Sequence, residues 1–361
     1  ALYKDQFAAF EYADEWLRTG FAISPFKLPM QKKVFIPKAD PFDGLFGVFA
    51  DSLPDGWGRL LVDRMLIKEH EDPAAVGVLS RLAIVGDSGM GAQSYRPAHT
   101  WKTDRAQLEY DRYAEECRRI LETEYSADLD ELFRLGGSSG GARPKILTTV
   151  DGEDWIIKFP ASVDRHDIGL TEYRYSQCAR KCGIEMAETR LFPSKQCEGY
   201  FGTKRFDRIK QTDGSVRRVH MLTVSALIEV SHRIPALDYN ALMALALELT
   251  KDYSEVEKLY RLMCFNVFAH NRDDHSKNFT FLYDEQRNAW RLSPAYDLTY
   301  SNSLGGEHAT CINGNGRDPS LADILAVADK IGIAKERAKR VAQQVQETVK
   351  EELGDVWKFG A

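Results

Sequence analysis

The sequence predicts an α+β protein of two lobes, a sheet-rich half followed by a helix-rich half, meeting near residue 222. Three observations predict it. At 361 residues the chain is long enough for two or three domains of about 150 residues each. Short alternating stretches bounded by turn residues fill the chain up to residue 223, and apolar residues at helical spacing take over from residue 238. Hydrophobic residues at 43% and charged residues at 28% are the proportions of a globular chain, which excludes the disordered, collagen-like and disulfide-scaffold classes.

The elements follow in order. Residues 1–50 are rich in Phe and Pro, with alternating pieces such as Lys33-Val34-Phe35-Ile36-Pro37 that read as strands broken by prolines. The turn-rich string Leu53-Pro54-Asp55-Gly56-Trp57-Gly58-Arg59 leads into a helical pattern over 60–67. Periodicity is lost over 92–103, which sets a boundary near residue 105. A charged amphipathic helix is expected at 106–125, then a Gly/Ser loop at 136–141. Strands over 145–150 and 154–159 flank an Asp151-Gly152 turn, and a helix over 172–182 stops at Gly183. Strands at 200–206 and 216–222 close the first half. Helices are expected at 241–250, 256–269, 321–331 and 335–353, with a hairpin of 279–283 and 289–292 among them. The expected domains are therefore an accessory subdomain at 1–105, a sheet-rich lobe at 106–222 and a helical lobe at 223–361, with a ligand cleft expected where the lobes meet.

Composition excludes further classes. Lys+Arg of 48 against Asp+Glu of 54 leave a net charge of −6, a poor balance for gripping nucleic acid unaided. The longest apolar run, 241–247, is far short of the ~20 residues that span a bilayer. The opening Ala1-Leu2-Tyr3-Lys4-Asp5 is no signal peptide and lacks an initiator Met, so some N-terminal residues are expected to be missing. Six cysteines, thinly spread, read as reduced thiols of a cytoplasmic protein.

The sharpest string is His270-Asn271-Arg272-Asp273-Asp274-His275-Ser276-Lys277-Asn278, followed by the hairpin and by Ser293-Pro294-Ala295-Tyr296-Asp297. Phosphoryl transfer needs such a set: one carboxylate to take the acceptor's proton, and a neutral oxygen ligand with a second carboxylate for Mg²⁺. Asp273 is then the base, with Asn278 and Asp297 as metal ligands. The same residues also fit a polar loop whose acids cap turns. A third reading is a metallohydrolase cluster of His270, Asp273, Asp274 and His275, joined by His166.

Upstream lies Gly136-Gly137-Ser138-Ser139-Gly140-Gly141-Ala142-Arg143-Pro144-Lys145. It matches neither the Walker A spacing nor GxGxxG. Glycines nevertheless let backbone amides approach phosphate oxygens. Lys158 follows within an apolar strand, and Glu172 begins the next helix. A Gly-rich loop, a strand Lys and a helix Glu, in that order, are the nucleotide-holding parts of a protein-kinase-like lobe.

With those residues in view, the chain resembles the HipA family, the serine/threonine-kinase toxins of bacterial toxin–antitoxin pairs. The likeness rests on Ser138 to Lys145, Ile156-Ile157-Lys158-Phe159-Pro160, Lys204-Arg205-Phe206-Asp207-Arg208, Asp273 to Asn278, Ser293 to Asp297, and the 53–59 string. The resemblance implies a two-lobed protein-kinase-like fold, with a sheet-rich N-lobe, an accessory N-terminal subdomain and an all-helical C-lobe. It implies ATP and Mg²⁺ as cofactors, with Asp273 as catalytic base and Asn278 and Asp297 on the metal. The backbone of Gly140, Gly141, Ala142, Arg143, Pro144 and Lys145 would cradle phosphates, with Lys158 beside them and Glu172 as its partner. His220, Met221, Leu222 and Thr223 fall at the adenine hinge, where the family often shows acidic and Gln residues that this sequence lacks. Asp274, His275, Lys277 and Tyr296 are likewise implied in nucleotide binding. Ser138 matches the family's autophosphorylated serine, with Ser139 as the neighbouring alternative. The implied partners are a HipB-like helix-turn-helix antitoxin, DNA only through that antitoxin, and a protein substrate of the kind that includes aminoacyl-tRNA synthetases. No membrane partner is expected. Two readings stand beside the kinase: the metal-dependent phosphohydrolase, and a non-catalytic partner-binding module on a kinase scaffold.

Overall fold

The computed structural model describes residues 2–4, 7–99 and 109–356, so the boundary expected near residue 105 lies outside the described residues. The chain divides into two compact units. One comprises Ala1–Gly169 with Arg190–Val230, the other Leu170–Thr189 with Ser231–Ala361.

The first unit is built on a four-stranded sheet whose strands lie side by side in the order Lys145–Val150, Glu153–Lys158, Tyr200–Lys204 and Thr189–Phe192. The first two form a hairpin closed by Asp151 and Gly152, both at positive φ, the backbone that the tight turn between twisted strands demands. Burial alternates along Glu153–Lys158, so Trp155 and Ile157 face inward while Lys158 takes the other side. Against the inner face pack the helices Tyr110–Leu121 and Leu129–Gly136, amphipathic through Cys117, Ile120, Leu132 and Leu135. Trp57 and Leu61, from the helix Gly56–Lys68, enter the same core. A smaller cluster of Ala8, Leu45, Ala50 and Leu82 holds the N-terminal segments together.

Several sequence expectations are corrected here. Residues 33–37 form no strand. Phe35 makes one isolated bridge to Phe10, while Val34 and Ile36 stand exposed and Pro37 offers no N–H to a ladder. The helix Leu129–Gly136 was not expected ahead of the Gly/Ser loop. The strand read over 216–222 is two, Val216–Arg218 and Met221–Thr223, because His220 is turned inward to bond the Ile23 carbonyl. The helix expected to begin at Glu172 begins four residues earlier, as Ile168–Lys181.

The second unit is organised around the helix Tyr253–Phe268, buried nearly all round, as a central helix must be. Tyr239–Thr250 and Lys335–Leu353 pack with it, and Leu321–Ile331, opened by a capping box of Ser320 and Asp323, packs on those two. The unit is not all helix. It carries the hairpin Thr280–Asp284 with Ala289–Leu292, and Leu237–Asp238 pairs in parallel with Thr310–Cys311. All six cysteines are free thiols. No helix among the described residues is long and apolar enough to cross a membrane.

Candidate active site

In the first unit the glycine-rich connection runs from the end of the helix Leu129–Gly136 to the strand Lys145–Val150. Ser138 is half-buried and its hydroxyl donates to the Ser88 carbonyl at 2.9 Å. Ser139 is 2% exposed and donates to the Gly136 carbonyl at 2.6 Å. Gly140, Gly141 and Ala142 are exposed at the crest of the loop. Arg143 is committed elsewhere, its guanidinium forked onto Asp164 at 3.0 and 3.2 Å. Pro144 accepts the Phe159 N–H at 2.8 Å, which anchors the loop's far end.

Lys145, 8% exposed, donates its ammonium to the Gly140 carbonyl and stands directly opposite Lys158 in the antiparallel register. Opposed residues of an antiparallel pair share a face of the sheet, so the two lysines are neighbours there. Lys158 Nζ lies 5.5 Å from the centre of the Phe201 ring.

The 220–223 stretch is tied into the N-terminal segments. His220 is 3% exposed, and burial pushes its imidazole down to about 4, despite the bond at 2.8 Å to the Ile23 carbonyl. Leu222 is fully buried. Thr223 spends its N–H and its hydroxyl on the two oxygens of Asp51, each at 2.8 Å, and caps the helix Val224–Ile228.

The Lys204-Arg205-Phe206-Asp207-Arg208 string forms a buried clamp. Asp207 accepts from Arg205 at 2.9 and 2.8 Å, from Arg208 at 2.7 Å and from the Gly91 N–H at 2.7 Å. Burial alone would raise this carboxyl, but the two guanidiniums hold it below its ordinary value. Arg205, Arg208 and Arg218 all reach the Gly89 carbonyl, fixing the 88–91 segment that accepts from Ser138.

In the second unit, Glu172 is 3% exposed, in the second turn of its helix rather than at the end. Tyr175 of the same helix donates to the Ala269 carbonyl at 2.7 Å, just before the acidic loop. The loop itself separates its two adjacent acids. The Asp274 carboxylate points into the protein, accepting from Tyr239 at 2.9 Å, bonding His308 Nδ1 at 3.0 Å and accepting the Thr310 N–H at 3.1 Å. Asp274 is therefore a support of the loop, and the nucleotide contact expected of it does not fit a carboxylate spent in this way. Asp273 faces outward, its side chain 60% exposed, with His275 Nε2 at 4.0 Å. His275 Nδ1 accepts the Lys277 N–H at 3.2 Å, and its ring lies 5.4 Å from that of His232.

Asn278 donates its amide to the Asp273 carbonyl at 2.7 Å, which couples the candidate base and the candidate ligand through one bond and turns the Asn278 oxygen away. Tyr296 donates to the Lys277 carbonyl at 2.6 Å and meets Thr280 Oγ1 at 2.6 Å, so the stretch carrying Asp297 is pinned to the stretch carrying Asn278. Asp297 has φ of +53°, a backbone uncommon outside glycine and concentrated at functional sites. An amide oxygen and a carboxylate are the donor types a hard divalent cation takes, so this pair fits Mg²⁺. The rival cluster does not assemble. Asp274 is committed internally, and no group of three or more His, Cys, Asp or Glu among the described residues is disposed to hold an ion.

Two elements of this geometry escaped the sequence reading: the His308–Asp274–Tyr239 support, and the contact of Asp55 with the glycine-rich loop, in which the carboxylate accepts the Gly141 N–H. The 53–59 string drew notice as turn chemistry, but nothing local indicates a partner 86 residues away.

The fold and these loops define a two-lobed α+β protein of kinase-like architecture. The pattern of the HipA N-terminal domain matches residues 1–96, and that of the HipA-like C-terminal domain matches residues 137–353. The chain belongs to the HipA family. It is similar to HipA in the Shewanella oneidensis MR-1 complex of HipA, HipB and operator DNA, with a TM-score of 0.69 at 16% identity, over 96% of this chain and 85% of that one. Two proteins of Sinorhizobium fredii (strain NBRC 101917 / NGR234) match in part. "Putative kinase Y4mE" is 32% identical over 183 residues and "Putative kinase Y4dM" 25% identical over 174 residues, each match covering 45% of this chain. The chain spans about two fifths of the length of these relatives, 41% in each case.

Proposed function

We propose that this chain is an ATP-dependent serine/threonine protein kinase of the HipA type, transferring the γ-phosphoryl group of ATP to a protein hydroxyl. The observation that carries the reading is the division of labour in the acidic loop. Asp274 is buried and hydrogen-bonded, while Asp273 stands exposed with Asn278 locked to its carbonyl. An outward carboxylate held by a rigid loop is what a base that accepts a hydroxyl proton requires. Asn278 and Asp297 are the residues that would hold Mg²⁺, which supplies neutralisation of phosphate charge when bound. The opposed Lys145 and Lys158, beside exposed loop amides, favour the phosphate end of a nucleotide in the first unit.

Ser138 is the favoured site of autophosphorylation, because its hydroxyl is partly accessible whereas that of Ser139 is buried. A phosphate there cannot donate to Ser88, and its added charge beside the nucleotide's own opposes binding. The partner we propose is a HipB-like helix-turn-helix antitoxin. It would bring the chain to DNA, which a net charge of −6 does not favour unaided. The substrate proposed is a protein hydroxyl, of the class that includes aminoacyl-tRNA synthetases.

Incubation of the full chain with ATP and Mg²⁺, read by intact mass, tests the reading. One added phosphate is expected, lost in Asp273→Asn while ATP binding persists. Equal phosphate gain in Asp273→Asn, or no gain and no ATP binding in the parent, would refute it.

A further inference from the structure

The glycine-rich loop is already holding a carboxylate. Asp55 occupies the N-cap position of the helix Gly56–Lys68, yet its side chain makes no bond to that helix's amides. An N-cap aspartate ordinarily bonds the amides of its own first turn, which stabilises the helix. Here the carboxylate instead accepts the Gly141 N–H, at the crest of the loop.

The rest of the turn is shaped to the same contact. The Trp57 N–H donates to the Gly141 carbonyl at 2.9 Å, and Trp57 Nε1 donates to the Lys145 carbonyl at 3.1 Å. A side chain at Gly56 would place its Cβ 2.4 Å from the Gly141 oxygen, and one at Gly58 would fall 2.1 Å from the Ser139 oxygen. Neither position tolerates a Cβ, so both glycines serve the close approach of two backbones. A Cβ at Gly140 would lie 3.0 Å from Asp55 Oδ1. The loop is also held at its start, where Ser138 donates to the carbonyl of Ser88.

Loop amides of this kind bind anions because successive N–H groups point outward from a glycine backbone. A carboxylate seated on one of them is a stand-in for a phosphate oxygen, carried by the chain itself. We infer that Asp55 is a built-in competitor for the phosphate seat of the glycine-rich loop, so that the N-terminal segment restrains nucleotide binding until this contact is released. The inference rests on the nucleotide reading above and deepens it. Phosphate oxygens and the Asp55 carboxylate cannot share the Gly141 N–H, and their like charges repel at that distance. Triphosphate affinity therefore carries the cost of opening the contact, whereas the nucleoside, which needs no phosphate seat, carries none.

The test compares parent and Asp55→Asn, which keeps the shape and removes the charge. ATP and adenosine are the ligands in equilibrium titrations, and hydrogen exchange is followed at the 140–142 amides. The variant is expected to bind ATP about tenfold tighter, the difference between a charge-assisted hydrogen bond and a neutral one (about 1.4 kcal/mol) together with the removed repulsion. Adenosine affinity is expected to be unchanged, and the three amides to exchange faster. Unchanged or weaker ATP binding, with adenosine binding intact, overturns the inference. If adenosine binds neither protein, the nucleotide reading is what fails, and inorganic pyrophosphate becomes the probe. Protection of 140–142 by pyrophosphate in the variant but not the parent then supports the inference, and equal behaviour overturns it.

Discussion

Lowering the pH from 7 to 5 should loosen the first unit through one residue, His220. Its ring is fully desolvated and neutral, donating from Nε2 to the Ile23 carbonyl, and burial lowers its pKa from 6.5 to about 4. The sign follows from where the proton binds. Between those two values the unfolded chain takes up a proton that the folded chain refuses, so stability is full above 6.5 and falls as the pH drops towards 4. At pH 5 the unfolded histidine is about 1.5 units below its own pKa and the folded one is still neutral. At 1.36 kcal/mol per unit, the loss is about 2 kcal/mol. Below pH 4 it levels off at about 3 kcal/mol, set by the full separation of the two values. Urea unfolding of the parent and of His220→Gln, followed by tryptophan fluorescence at pH 7, 6 and 5, reads the difference. Glutamine does not titrate, so any uniform cost of the substitution cancels in the pH dependence. The gap between the two proteins should shift by about 2 kcal/mol in favour of the variant by pH 5. Parallel pH profiles would show that His220 is protonated without penalty, and that its burial is not what the geometry describes.

Two other perturbations follow from buried groups. Asp207→Asn leaves the guanidiniums of Arg205 and Arg208 in the interior without their carboxylate, and should cost about 3–5 kcal/mol in chemical unfolding; a loss below about 1 kcal/mol would mean that the clamp is not closed in solution. Ser138→Ala should abolish the phosphate gained on incubation with ATP, and Ser139→Ala should retain it, since only Ser138 presents a partly accessible hydroxyl; phosphopeptide mapping to Ser139 would overturn that assignment.

The local elements were legible because their causes are local. The Asp151-Gly152 turn between two alternating runs specifies its hairpin by itself, and the strand Lys145–Val150 and the helices Leu321–Ile331 and Lys335–Leu353 begin and end where their periodicity does. The order of a glycine-rich loop, Lys158, Asp273, Asn278 and Asp297 is also a property of the chain, and it was enough to suggest phosphoryl transfer. Where local signals conflicted, the reading slipped. Alternation at 33–37 reads as a strand, but among the described residues only Phe35 is paired, in one isolated bridge to Phe10, and residues 216–222 read as continuous although His220 turns inward.

What the sequence left to the fold is how two adjacent, chemically equal residues are placed. Asp273 and Asp274 differ only in that Tyr239, His308 and Thr310 converge on one of them, from 34 to 36 residues away. Ser138 and Ser139 differ only in which hydroxyl the helix end buries. Asp55 reads as one residue of a turn-rich string until a backbone amide 86 residues away claims its carboxylate. Periodicity and turn chemistry report each residue's neighbours along the chain, whereas exposure and hydrogen-bond partners depend on which distant segments pack against it. Residue type and spacing therefore determined the family and suggested the kind of chemistry proposed for it. Only the tertiary structure decided which carboxylate faces outward, which serine is accessible and what already occupies the loop.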